Sequence, residues 1–101
     1  MEGSPLSTYL ADLDEQQLAR QIKHLLARDL IPAIEFVRRP DPHDHYWAMW
    51  KLPLFEARAV EHVLTEIEAC KAAHPDSLIK LIGYDRQRQT QAVSLVVYQP
   101  S

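Results

Sequence analysis

The chain has 101 residues, 47% of them hydrophobic and 25% charged, which places it among ordinary globular domains rather than disordered or fibrous chains. A net charge of −3 gives no diffuse attraction for nucleic acid or anionic lipid, no apolar run approaches the roughly 20 residues that span a bilayer, and the single cysteine, Cys70, cannot form an internal disulfide. No signal-peptide pattern runs over Met1 to Leu10, so the chain reads as cytoplasmic; a domain this small buries only about 60–70% of the surface its unfolded form exposes, and burial against a partner would matter.

Residues 1–12, with Gly3, Ser4, Pro5 and Ser7, show no sustained periodicity and read as an irregular N-terminal arm ahead of one domain over 13–101. Asp14 as N-cap, Gln17 as its capping-box partner and Leu13 against Leu18 as hydrophobic staple mark a helix start. Leu18, Ile22, Leu25 and Leu26 continue it as one apolar stripe over roughly 15–28, and Pro32 closes the segment. Ala33 to Val37 reads as a strand with Ile34 and Phe36 on one face, followed by a loop from Arg38 to Asp44 containing Pro40 and Pro42. A second strand, antiparallel to the first, is predicted across His45 to Leu52 from Tyr46, Trp47 and Trp50, with Pro53 closing the run.

Val60, Val63, Leu64, Ile67 and Cys70 then recur at helical spacing over about 57–73, ended by Pro75 and Asp76. Leu78 to Tyr84 and Thr90 to Tyr98 read as two strands joined by the polar turn Asp85-Arg86-Gln87-Arg88-Gln89. The order αββαββ is met most simply by an α+β, two-layer fold: one four-stranded antiparallel sheet with both helices on one face. The helices leave the other face open, yet the strands are apolar at both parities, Trp47 and Met49 against Tyr46 and Trp50, and Val93, Leu95 and Val97 against Ala92, Val96 and Tyr98. Part of that second face needs a cover. A partner protein would supply one, since each buried aromatic removes about 150–250 Å² from water; the arm and the strand ends are the intramolecular alternative.

No catalytic constellation is legible. With glycine only at Gly3 and Gly83, no phosphate-cradling loop can be written. His43-Asp44-His45 places two imidazoles two apart, but a closed metal site needs four ligands, and His24, His62 and His74 fall on helices without ligand spacing. Cys70 lies in an apolar stripe and reads as a small buried hydrophobe. Arg86 and Arg88 could meet an anion or an acidic partner surface, and Glu35 on the first strand reads as an ion-pair partner rather than a general acid.

The run Tyr46-Trp47-Ala48-Met49-Trp50-Lys51-Leu52-Pro53-Leu54-Phe55 resembles the Tyr-Trp-x-x-Trp-Lys-Leu-Pro-x-Phe signature of small subunits of form I ribulose-1,5-bisphosphate carboxylase/oxygenase (RuBisCO). It is flanked in order by Tyr9-Leu10, Ile31 to Phe36, Val63 to Cys70, Ile82-Gly83-Tyr84-Asp85 and Gln91 to Ser94, so the resemblance covers about residues 8–99. It implies a non-catalytic subunit that binds, stabilises and tunes large subunits, eight with eight, for carbon dioxide fixation. No cofactor is then expected on this chain, because magnesium and the carbamylated lysine belong to the large subunit. Tyr9, Leu10, Glu35, Tyr46, Trp47, Trp50, Lys51, Leu52, Pro53 and Phe55 become candidate large-subunit contacts, and truncating Trp50 would weaken assembly. The loop Arg38, Arg39, Pro40, Asp41, Pro42, His43 and Asp44 would line the mouth of the central channel; its shortness, and the lack of a strand-forming extension after Tyr98, resemble bacterial green-type members. A scaffold domain that binds assembled RuBisCO in a carboxysome is the alternative, and an independent ligand-binding domain a third.

The chain departs from the family pattern in four places. Asp29-Leu30 stand where Gly-Trp is usual, so Asp29 must take a left-handed C-cap position; Glu56 replaces a glycine; Arg58-Ala59 replace a Thr-Asp helix start; and Ala11-Asp12 replace Pro-Pro in the arm.

Overall fold

The computed structural model describes residues 8–9, 14–38, 47–51 and 53–100. In chain order the elements are β1 (Thr8–Tyr9), α1 (Glu15–Ala27), β2 (Ile31–Arg38), β3 (Ala48–Met49), α2 (Val60–Ala73), β4 (Ser77–Asp85) and β5 (Thr90–Tyr98). They form one sheet in the order β1-β5-β4-β2-β3. Four of these strands, β5-β4-β2-β3, are the expected antiparallel sheet. The arm is not wholly irregular: Thr8 and Tyr9 pair in parallel with Leu95 and Val96. A two-residue strand carries no readable period, and it forms because the outer edge of β5 offers unpaired backbone groups.

The α1 helix opens on the expected capping box, in which the Asp14 carboxylate accepts the Gln17 N–H at 2.7 Å and the Gln17 side-chain oxygen accepts the Asp14 N–H at 3.0 Å. Leu13, the expected staple, lies outside the described residues. The helix ends in a Schellman turn: Asp29 N–H donates to Leu26 O at 3.0 Å, Leu30 N–H to Leu25 O at 3.2 Å, and Asp29 sits at φ 59°. Asp29 therefore takes the left-handed position the sequence demanded of it, which a short polar side chain tolerates better than a branched one. The α2 helix starts at Val60, later than expected, because its N-cap is Ala59 and no side chain caps it. The chain before it is held by turns, with Phe55 N–H donating to Pro53 O at 3.0 Å and Ala57 N–H to Leu54 O at 3.1 Å.

Both helices pack on one face. Ile22 and Leu25 of α1, Val63, Ile67 and Cys70 of α2, Ile34 of β2, and Ile79 and Leu81 of β4 form the core, each at most 2% exposed. Phe36, Val93, Val97 and Tyr98 border it. Ile34 and Phe36 thus share the face assigned to them. Tyr98, expected opposite Val97, joins the same core because the β4–β5 register shifts between Ile79 and Lys80.

Pro32 lies inside β2 rather than before it, paired with Gly83. Its carbonyl accepts the Leu54 N–H at 2.8 Å on the edge away from β4, so its missing N–H faces that edge and costs the β2–β4 ladder nothing. On that edge Ile34 O accepts the Trp50 N–H at 2.7 Å, and Lys51 at φ 59° then turns the chain out of the sheet. Among the described residues β3 is therefore two residues long, shorter than the run expected from His45 to Leu52; positions 45, 46 and 52 lie outside them.

Gly83 has a packing reason. A Cβ there would meet Leu25 Cδ1 at 3.0 Å and Leu30 Cδ1 at 3.1 Å, so its bare Cα lets the end of α1 settle onto β4. Gly83→Val is expected to destabilise the fold by about 1–3 kcal/mol. In the β4–β5 turn, Gln89 sits at φ 56° with its N–H on Asp85 O at 2.7 Å, so Gln89→Gly should gain about 0.5–1 kcal/mol. Urea unfolding midpoints of the two variants, moving in opposite directions, check both.

Candidate partner interface

On the face away from the helices, register assembles one cross-strand row. Val96 of β5 pairs with Lys80 of β4, Lys80 with Glu35 of β2, and Glu35 with Met49 of β3. Tyr9 of β1 takes the register position beside Val96, so the row crosses all five strands. Lys80 Nζ lies 3.6 Å from Glu35 Oε1 and 4.2 Å from the Trp47 ring centroid, a cation held between a carboxylate and an indole face. The Lys80 and Glu35 side chains are only 18% and 14% exposed, and Trp47 is half-buried, whereas Met49 remains 38% exposed. Ala33 and Ile82, neighbours in the next row, are fully buried although they point away from the helix-side core.

Trp50 and Lys51 turn the other way. The Trp50 indole N–H donates to Glu66 Oε1 of α2 at 3.0 Å, and Lys51 Nζ lies 3.1 Å from the same oxygen. His74 stacks on Phe36 with centroids 4.0 Å apart, and Trp50 meets both rings edge-on at 5.8 and 6.5 Å. The indole hydrogen bond, opposed in part by burial and assisted by Lys51, holds the Glu66 carboxyl below its ordinary value of 4.5. Trp50 is thus engaged with α2, and its truncation would loosen the fold before it reported on a partner. Beyond it, Pro53 is half-buried and Phe55 is 59% exposed, the barest large apolar group among the described residues.

The candidate contacts therefore separate into the open-face pair Glu35 and Trp47, the α2-bound pair Trp50 and Lys51, and Pro53 with Phe55 near the end of α1, while Tyr9 is placed by its strand register with Val96 alone. Leu10, Tyr46 and Leu52 lie outside the described residues, as do Arg39, Pro40, Asp41, Pro42, His43 and Asp44 of the candidate channel loop; Arg38, its first residue, ends β2 and is exposed. Lys80 and Glu66 were missed from the sequence. Each matters through a neighbour that only register or helix docking brings close, and no local pattern marks either.

Cys70 is fully buried, and desolvation pushes its thiol up to about 11, which leaves it protonated and unreactive at neutral pH. Among the described residues no three His, Cys, Asp or Glu side chains gather as a metal site, and no helix is long and apolar enough to cross a membrane.

A family model described as ribulose bisphosphate carboxylase, small chain, matches residues 5–100. The chain belongs to this family. It is 40% identical over 94 residues to the ribulose bisphosphate carboxylase small subunit of Synechocystis sp., covering 93% of this chain and 83% of that one. Against the small subunit of Hydrogenophilus thermoluteolus it is 43% identical, covering 93% and 76%. A chain of RuBisCO from Galdieria partita superposes with a TM-score of 0.83 at 33% identity, covering 91% of this chain and 68% of that one. The two tryptophans of the run from Tyr46 to Phe55 serve opposite faces of the sheet, Trp47 the open face and Trp50 the helix side.

The Trp50–Glu66 bond gives a pH signature. A carboxyl whose folded pKa is depressed adds stability above its unfolded value and loses it as pH falls through the folded one. Glu66→Gln should therefore cost about 1 kcal/mol at pH 7. The gap to the parent chain should close as pH drops below 4.5. Urea titrations from pH 7 to about 3 check it; a gap that persists unchanged would assign the loss to packing.

Proposed function

We propose that the chain is a non-catalytic small subunit that braces RuBisCO large subunits, eight with eight, and so stabilises and tunes carbon dioxide fixation. Membership of the small-chain family over residues 5–100 carries this reading. The surface agrees with it: a half-buried ion pair roofed by Trp47, with Met49 beside it and Phe55 exposed near the end of α1, is an aromatic and charged pattern suited to desolvation by a partner. Catalysis, with its magnesium and carbamylated lysine, falls to the large subunit. This chain's part is mechanical, limiting large-subunit motion without touching substrate. Arg38 to Asp44 is assigned to the mouth of the central channel, and the cytoplasm to the assembly as a whole.

Light-scattering mass of the cognate large subunit with and without this chain, paired with a carboxylation assay, tests the proposal. A complex of about half a megadalton with raised or newly stable activity is expected, for eight copies of each chain at the ordinary size of a small and a large subunit. A chain that stays free would sink it. Phe55→Ala is the sharper variant than Trp50→Ala, because Phe55 is exposed and its loss leaves the core intact. It should keep the thermal midpoint and raise the concentration needed for assembly about tenfold.

A further inference from the structure

A single carboxylate of α2 grips the turn that follows β3. Glu66 Oε1 accepts the Trp50 indole N–H at 3.0 Å and lies 3.1 Å from Lys51 Nζ, which is 3.4 Å from Oε2. The Glu66 side chain is only 17% exposed, and its charged hydrogen bonds are stronger for that. Lys51 sits at φ 59°, a conformation that a residue with a side chain keeps only where its surroundings enforce it. The chain leaves the sheet at this residue. Among the described residues, Glu66 is the only side chain that hydrogen-bonds to Trp50 or Lys51.

Beyond Lys51 the same turn carries Phe55. Main-chain bonds pin the turn to the free edge of β2 on either side of the departure, Trp50 N–H to Ile34 O at 2.7 Å and Leu54 N–H to Pro32 O at 2.8 Å. Trp50 and Leu54 border the core and Ala57 belongs to it, whereas Phe55 is 59% exposed. Burial therefore does not orient the Phe55 ring; the course of the turn does. That course is set where Lys51 redirects the chain, and the carboxylate of Glu66 holds it there.

We propose that Glu66 is a positioning residue: by gripping Trp50 and Lys51 it keeps the turn after β3 in one conformation and so presents Phe55 ready for the large subunit. The proposal rests on the small-subunit reading above, in which Phe55 is the contact, and Glu66 acts through it without touching the partner. Holding a contact group in its bound conformation before association lowers the ordering cost of binding, so loss of the grip weakens assembly although no contact is removed.

Two measurements on the full chain test this. In the absence of any partner, ¹⁵N relaxation should show Leu54 and Phe55 rigid in the parent. In Glu66→Ala the same amides should fall below an order parameter of about 0.6 or gain exchange on the μs–ms scale. The control Glu68→Ala, which removes the other glutamate of α2 that pairs with a lysine, should leave both amides as they are. With the cognate large subunit, Glu66→Ala and Phe55→Ala should each weaken assembly about tenfold, and the double variant about tenfold rather than about a hundredfold, because the two act through one contact. Glu66→Gln keeps an acceptor for the indole and should restore assembly to within about threefold of the parent. Lys51→Met, at an exposed side chain, repeats the cycle if Glu66→Ala does not fold. Unchanged relaxation in Glu66→Ala, or effects that multiply in the double variant, would overturn the proposal. A parent chain that does not bind the large subunit sinks the small-subunit reading, and with it the role of Phe55, whatever the relaxation shows of the turn.

Discussion

The pairing of β2 with β4 is the constraint on which the rest depends. Eight consecutive residue pairs, Ile31 with Tyr84 through Arg38 with Ser77, set which side chains meet the helices and which face outward. A slip of one residue would exchange the two sets. Ile34 and Leu81 would leave the core, and Glu35 and Lys80 would enter it as buried charges. The same register places Pro32 opposite Gly83, which makes room for the end of α1 and turns the missing proline N–H away from the ladder.

From that frame the two faces acquire different roles. The helix face is closed by aliphatic packing and by Trp50, Phe36 and His74, with Glu66 tying the segment after β3 down to α2. The outward face holds a charged pair under an indole. Such a pair is a poor source of stability for the isolated domain, because desolvation offsets much of its attraction. Where a partner docks on such a pair, complementary charge sets register and mismatched charge is costly.

Backbone strain is concentrated at connections. Asp29, Lys51 and Gln89 all lie in the left-handed region without being glycine, and each ends or redirects an element: α1, the segment after β3, and the β4–β5 turn.

Local physics made most of the fold legible in advance. The capping box at Asp14 and Gln17, the apolar stripes from Leu18 to Leu26 and from Val60 to Cys70, and the four antiparallel strands follow from hydrogen bonding and periodicity within a few residues of chain. The tryptophan-rich run identified the family for the same reason, being contiguous. Tertiary structure alone decided the rest. It paired Thr8 and Tyr9 with β5, shortened β3 to Ala48 and Met49, and sent Trp47 and Trp50 to opposite faces. It also set Lys80 between Glu35 and Trp47 and gathered Asp29, Leu30, Arg58 and Arg86 around one recess. These outcomes depend on which distant residues become neighbours, and strand register and helix docking, rather than local spacing, determine that.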